Sequence, residues 1–178
     1  MAKKFLARLG VVVGATLAAA FAGSVTQAGA APAVHDASPS TVAIAEPPPG
    51  GWDTPSDRSY HLEASCEPYA AAIRQGAAAW NGLTEGGGTP VECRDGYITD
   101  CGGGTNVVGC NWGQGQRIAL YMGGVNDDAL LAAHEFGHDW YGHSDFQCAG
   151  WGSPAEVMAP SICNAPGLKN GRVPVATM

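Results

Sequence analysis

Apolar residues recur with a helical period over residues 128–141, and the start and stop signals of a helix surround them. Asn126-Asp127-Asp128 supplies an N-cap followed by acidic first-turn residues, and Gly142 predicts the end of the helix. On a wheel of about 100° per residue, the apolar positions opposite His134 are Ala129, Ala132, Phe136 and Trp140. The pattern predicts a helix whose apolar back packs on a sheet while its other face looks into a cleft.

Alternating and periodic apolar positions elsewhere predict several strands and one more helix. Strands are expected over residues 58–63, 90–94, 107–110 and 117–122. A helix is expected over residues 68–83, with Ile73, Ala77 and Trp80 on one face and glycines after it. The order strand, helix, strands, helix and irregular tail predicts an α/β (α+β) domain, in which two main helices pack on one mixed, twisted sheet.

The amino-terminal part of the chain has the composition of an export signal. In residues 1–30 a charged start is followed by an apolar run and by the small-residue cleavage site Ala28-Gly29-Ala30. Residues 31–51, rich in Ala and Pro, are predicted to be a pro-segment or linker, and residues 52–178 to be one domain. No second apolar stretch is long enough to span a membrane, so a secreted, extracellular protein is expected.

The charge balance narrows the range of partners. The chain has 9 basic and 16 acidic residues, and removal of residues 1–30 would leave 6 basic and 16 acidic residues, a formal charge of −10. This excess argues against nucleic acid or an anionic membrane as a partner, and we expect a monomer. An acidic extracellular protein is also compatible with bound Ca2+, although no twelve-residue calcium loop is present in the sequence.

All six cysteines lie in the predicted domain. They are Cys66, Cys93, Cys101, Cys110, Cys148 and Cys163. An even number in a secreted chain predicts three disulfides, for which fifteen pairings exist. No two cysteines are spaced as Cys-x-x-Cys, so a cysteine-zinc site is not expected.

The predicted helix over residues 128–141 contains His134-Glu135-Phe136-Gly137-His138. Two histidines four residues apart lie about 40° apart on one helix face, where both can bind one metal ion. Glu135 is rotated away from the pair and can instead reach a water bound to the metal, as a general base does. A third ligand must come from later in the chain, where His143 and Asp145 are both chemically suitable. A chance occurrence of the motif on an ordinary helix is the alternative.

Met158 lies between Cys148 and Cys163 in the stretch Glu156-Val157-Met158. One interpretation is an isolated hydrophobic residue in a loop. The other is a tight turn in which methionine forms an apolar floor beneath a zinc ion.

Together these motifs resemble the snapalysin family, small secreted zinc proteases that are related to the metzincins. That family carries His-Glu-x-x-His-x-x-Gly-x-x-Asp and a later Glu-Leu-Met turn flanked by two cysteines, which match residues 134–145 and 156–158 here. The resemblance implies a metzincin-like zinc protease domain over about residues 58–165, with zinc held by His134, His138 and Asp145. Gly142 follows His138 by four residues rather than by the family's three.

Asp145 is predicted as the third ligand because it keeps the family's interval from the glycine and has enough chain to return after a reversal at Gly142. His143 remains the alternative, at the cleft wall or as the ligand itself. Cys148 and Cys163 are predicted to be joined, since the loop between them has to hold Met158. The other expected pairs are Cys66 with Cys93 and Cys101 with Cys110.

The predicted function is a zinc-dependent endopeptidase with one catalytic Zn2+, in which Glu135 activates the water. Residues 117–122 are expected either to pair with an extended polypeptide substrate or to be core sheet. The alternatives are a zinc amidase acting on a non-protein substrate such as peptidoglycan, and a non-catalytic, disulfide-stapled binding module.

Overall fold

The computed structural model of the chain describes residues 46–102, 104–163 and 173–177. The predicted signal peptide and most of the predicted pro-segment lie outside the described residues. The described residues belong to one compact unit, Val42–Met178. Within these ranges, no helix is both long enough and apolar enough to cross a membrane.

A seven-stranded mixed sheet organises the described residues. Its strands are β1 (Arg58–Leu62), β2 (Leu83–Glu85), β3 (Thr89–Cys93), β4 (Gly109–Trp112), β5 (Arg117–Leu120), β6 (Ser161–Ile162) and β7 (Val173–Thr177). Their order is β2-β1-β3-β5-β4-β7-β6. The first three strands and β5 are parallel, β4 is antiparallel to β5, and β7 is parallel to β4. The predicted mixed sheet is confirmed, but two of its strands lie beyond Met158, where an irregular tail is predicted.

Two main helices accompany the sheet, as expected, but both are shorter than predicted. They are α1 (Ala70–Ala77), which follows a 3-10 helix over Ala64–Tyr69, and α2 (Asp128–Gly137). A single-turn helix, α3 (Pro154–Val157), lies in the loop after α2. The helix predicted over residues 68–83 ends early because Leu83–Glu85 forms a strand that pairs with β1. The helical period of the apolar residues does not indicate this tertiary contact.

The helix α2 begins within one residue of its predicted start, with Asp127 rather than Asn126 as the N-cap. The Asp127 carboxylate accepts a hydrogen bond of 2.9 Å from the Leu130 amide, which satisfies one of the free donors of the first turn. The second carboxylate oxygen accepts a bond of 2.9 Å from Trp151 Nε1. The N-cap therefore also ties the start of α2 to the loop that carries α3.

The core lies between the helices and one face of the sheet. Alternation along β5 shows the two faces: Ile118 and Leu120 join the large cluster under the helices, whereas Ala119 joins a smaller cluster on the opposite face. Phe136 of α2 packs on Tyr60 of β1 with ring centroids 4.6 Å apart. The amphipathic pattern therefore positions α2 on the sheet through its apolar back.

All three predicted disulfides form. Cys66–Cys93 joins the 3-10 helix to β3, Cys101–Cys110 joins a loop to β4, and Cys148–Cys163 closes the loop that carries α3. Disulfides of this number indicate an extracellular or otherwise oxidising environment.

The strand β5 is core sheet. It is paired with β3 on one side and with β4 on the other, so it has no free edge on which a substrate could form a further strand. Its neighbour β4 is likewise paired on both sides, by β5 and β7. Of the two interpretations of residues 117–122, the structure supports the second.

Candidate metal centre

Three histidines converge where α2 ends. His134 and His138 come from the last turn of the helix and its C-cap, and His143 comes from the segment that follows. One ring nitrogen from each lies within 4.8 Å of the others. His134 and His138 are 0% and 1% exposed, whereas His143 is exposed. The group could hold a metal ion, and the exposed side of His143 would give access to it.

The Nδ1 atom of each buried histidine is bonded to a main-chain carbonyl. His134 Nδ1 lies 2.7 Å from the carbonyl oxygen of Val157, and His138 Nδ1 lies 2.9 Å from that of Tyr141. Because a carbonyl can only accept, both Nδ1 atoms carry the proton and donate it. These bonds fix the tautomer in which Nε2 presents its lone pair, as histidines that bind metal ions require.

The Nε2 atoms of His134 and His138 are buried and find no hydrogen-bond partner among the described residues. Burial, opposed by the bond to Val157, lowers the pKa of His134 well below its ordinary value. Burial likewise lowers the pKa of His138 to about 4. Both rings are therefore neutral at pH 7 and have a lone pair that lacks a partner.

The geometry of the three histidines fits a zinc ion. Nitrogens bound to a tetrahedral zinc at about 2.1 Å lie about 3.4 Å from one another. Since the three candidate nitrogens lie within 4.8 Å of one another, the side chains need to close by at most about 1.4 Å. Neutral imidazoles are among the preferred ligands of zinc, so the donor set also fits.

Glu135 is fully buried between α2 and the sheet. Neither carboxylate oxygen has a hydrogen-bond partner in the described part of the chain, and burial raises the pKa of Glu135 well above its ordinary value. Its carboxylate lies against the main chain of Gly109 in β4, where an added Cβ atom would collide with Oε1. A buried carboxyl group with a raised pKa is a candidate acid or base.

A tightened turn after α2 places the third histidine. The Trp140 and Tyr141 amides both donate to the Gly137 carbonyl, at 3.1 and 2.9 Å, so the chain makes one more helical turn after α2. The Ser144 amide then donates to the Met158 carbonyl at 2.9 Å. This last bond holds the segment that contains His143 against the loop closed by Cys148–Cys163.

Met158 is 2% exposed and packs against α2 at Gly137, where an added Cβ atom would collide with its sulfur. Its neighbour Val157 bonds His134, so the turn contacts the helix through both residues. The predicted floor is therefore packed on the helix, whereas its role beneath a metal ion stays a prediction.

Asp145, predicted as the third ligand, is exposed and does not belong to the three-histidine group. The alternative, His143, completes that group. The physical reason is the return of the chain after α2: the Ser144 amide bonds the Met158 carbonyl, and Met158 packs on α2 at Gly137. The chain is therefore beside the helix at His143, before it reaches Asp145. The reversal at Gly142 stays a prediction.

A cavity of about 340 Å³ opens beside the histidines, between residues 141–144 and the side of the loop formed by Pro154, Ala155 and Met158. A larger cavity of about 430 Å³ lies where β1 and β3 begin, and none of the three histidines lines it. We therefore associate the smaller cavity with the candidate site.

Several residues that shape the site carried little signal in the sequence. Asn111 of β4 bonds α2, and the only available indication was a polar residue beside a stretch predicted as buried strand. The carbonyls of Val157 and Tyr141 leave no sequence signal, because every residue has such a group. Asp139, next to His138, is buried despite its charge and bonds Asn111.

Comparisons of the chain with models of protein families, with curated proteins and with solved structures gave no match.

Proposed function

We propose that the chain is an extracellular zinc-dependent endopeptidase in which His134, His138 and His143 bind zinc and Glu135 is the general base. The observation that carries this proposal is a set of buried polar atoms without partners in the described residues: Nε2 of two histidines and both carboxylate oxygens of Glu135, within five consecutive residues at the end of α2 and its C-cap. A purely structural zinc site would explain the histidines but has no use for Glu135.

The chemistry follows from the roles of the side chains. Zinc, when bound by three protein ligands, keeps a fourth position open and supplies Lewis acidity that polarises a carbonyl and lowers the pKa of water. Glu135 takes a proton from the attacking water and delivers it to the leaving amine. Burial raises the pKa of Glu135, which makes its carboxylate a stronger proton acceptor than an exposed one.

We propose His143 rather than Asp145 as the third ligand. His143 lies in the three-histidine group, and the Ser144–Met158 bond holds its segment close to α2. A ligand set of three histidines would bring the site closer to the three-histidine metzincins than the snapalysin-like sequence motif implies.

The proposed substrate is a polypeptide in an extended conformation. Residues that line the cavity beside His143, among them Met158 and Ala155, are largely apolar and suit a substrate side chain next to the scissile bond. The predicted export signal and the three disulfides are consistent with activity outside the cell.

Hydrolysis of casein by the purified mature protein tests the proposal. We expect activity that a chelator abolishes and that added zinc restores, with one zinc per chain by metal analysis. Zinc binding with hydrolysis of peptidoglycan but not of casein would indicate an amidase. Zinc binding without any hydrolysis would indicate a binding module and would overturn the proposal.

A further inference from the structure

We infer that Asn111 is a positioning residue, which together with Gly109 sets the place of Glu135 on the sheet. This inference rests on the proposed function, because it concerns how the base of that reaction is held. Both residues belong to β4 and lie two positions apart, so they face α2 from the same side of the strand.

Asn111 is 1% exposed, and its side chain bonds three groups. Nδ2 donates to the main-chain carbonyl of Glu135 and to Asp139 Oδ1, both at 2.8 Å. Oδ1 accepts from the Gly115 amide, also at 2.8 Å. The reverse orientation of the amide would set an oxygen against two acceptors, so the network defines which atom is which.

The bond to Glu135 satisfies a carbonyl at the end of the helix. The last four carbonyls of an α-helix have no partner within it, and that of Glu135 is one of them because α2 ends at Gly137. Asn111 is therefore a side-chain cap that acts on the residue carrying the proposed base. The same side-chain amide also donates to Asp139, the residue that directly follows His138.

Gly109 provides the second contact between β4 and α2. An added Cβ atom there would collide with Glu135 Oε1 and would lie 2.7 Å from its carboxyl carbon. Residues two apart on a strand are separated by about 6.8 Å, and residues four apart on a helix by about 6 Å. The pair Gly109 and Asn111 can therefore meet Glu135 and Asp139 together, which limits both the rotation and the sliding of α2 on the sheet.

The test replaces Asn111 with Asp, which cannot donate and places a carboxylate against two acceptors. Asn111→Ser, which is uncharged, serves as a second variant in case the first does not fold. The matched control is Thr89→Val, which removes the 2.6 Å bond from Thr89 to the Gly115 carbonyl at the same hairpin without touching α2. A fourth protein, Asn111→Asp with Asp139→Asn, restores a donor between the two side chains but leaves the Glu135 carbonyl without one.

Each protein is loaded with zinc and compared by metal content, thermal midpoint, kcat and KM on a casein-derived peptide, and hydrogen exchange of the amides of residues 139–141. We expect both Asn111 variants to keep one zinc per chain and to lose at least about tenfold in kcat, with KM within about threefold. Their amides of residues 139–141 should exchange faster. Thr89→Val should lower the midpoint with kcat and exchange unchanged.

The double variant separates positioning from simple neutralisation of a buried charge. We expect it to recover most of the thermal midpoint while kcat remains low, because the Glu135 carbonyl is still unpaired. Full recovery of kcat would overturn the inference, as would zinc-loaded Asn111 variants with the kcat of Thr89→Val. A wild-type protein that binds zinc without hydrolysing peptides would instead overturn the proposed function.

Discussion

Five buried polar atoms without partners define the candidate site at the level of single residues, within the part of the chain that the structure describes. Four belong to His134, His138 and Glu135, and the fifth is Oδ2 of Asp139. Buried polar groups are paired in the great majority of cases, and each exception costs about 1–3 kcal/mol. Such a concentration within one helix end is compatible with a metal ion that binds the two Nε2 atoms.

Replacement of Glu135 by Gln distinguishes a role as metal ligand from a role as general base. We expect Glu135→Gln to keep one zinc per chain, because Glu135 is not a ligand, and to lose at least about a hundredfold in kcat, because the water loses its proton acceptor. Metal analysis and peptide hydrolysis measure the two effects. Retention of most of the wild-type turnover would contradict the assignment of the base.

The third ligand is tested by a pair of alanine variants. We expect His143→Ala to weaken zinc binding by about a hundredfold or more, since two imidazoles rarely hold a catalytic zinc ion. Asp145→Ala is the control and should retain the wild-type affinity, because Asp145 is exposed and outside the histidine group. A zinc titration that ranks the two variants the other way would return the ligand role to Asp145.

At the level of elements, the loop closed by Cys148–Cys163 supports α2 from the side of the histidines. In the first part of this loop, Trp151 donates a hydrogen bond to Asp127, the N-cap of α2. Later in the loop, the Val157 carbonyl accepts a hydrogen bond from His134, and the Met158 carbonyl accepts one from the Ser144 amide. The loop thus fixes a ring nitrogen of one proposed ligand and the chain next to another.

Removal of two different disulfides tests this supporting role. Closing a loop of about 15 residues restrains the unfolded chain by about 3 kcal/mol, and the shorter Cys101–Cys110 loop by slightly less. We expect serine replacements of either pair to lower the unfolding free energy by similar amounts. Loss of Cys148–Cys163 should in addition weaken zinc binding, since this loop bonds His134 and the segment of His143. The two disulfide variants are compared under conditions in which urea titration shows both to be folded. If they then bind zinc with equal affinity, the proposed supporting role of the loop is wrong.

At the level of the whole molecule, burial of neutral histidines couples folding to pH. The pKa of His138 is about 4 in the folded chain and about 6.5 as an ordinary value. Between these values the unfolded chain binds a proton that the folded chain does not, so stability falls as the pH decreases from 6.5 to 4. The raised pKa of Glu135 acts in the opposite direction and lowers stability as the pH rises above its ordinary range.

For the metal-free protein, we expect the unfolding free energy to fall by up to about 3 kcal/mol between pH 6.5 and pH 4, because His138 binds a proton in the unfolded chain but not in the folded chain. Urea titrations across this range measure the effect, and His138→Gln should reduce the slope. Bound zinc should steepen the loss, because protons compete with the metal ion for the imidazoles. A pH-independent urea midpoint in the metal-free protein would show that His138 is not held neutral.

Much of the fold and of the site was determined by the sequence alone, because it depends on local patterns. The period of α2, its Asp127 cap and the spacing of His134 and His138 need only neighbouring residues, as do strands β1 and β5. The number of disulfides followed from the even cysteine count, whereas the three predicted pairings, chosen among fifteen, needed the tertiary structure to confirm them.

The tertiary structure alone decided what depends on distant parts of the chain. Strand β2 forms because β1 offers it an edge, and the bond from Ser144 to Met158 brings the chain after α2 back to the loop around Met158. That return places His143 rather than Asp145 beside the other two histidines. Asn111 bonds the carbonyl of Glu135, which lies 24 residues later in the sequence, and no local sequence pattern predicts such a contact.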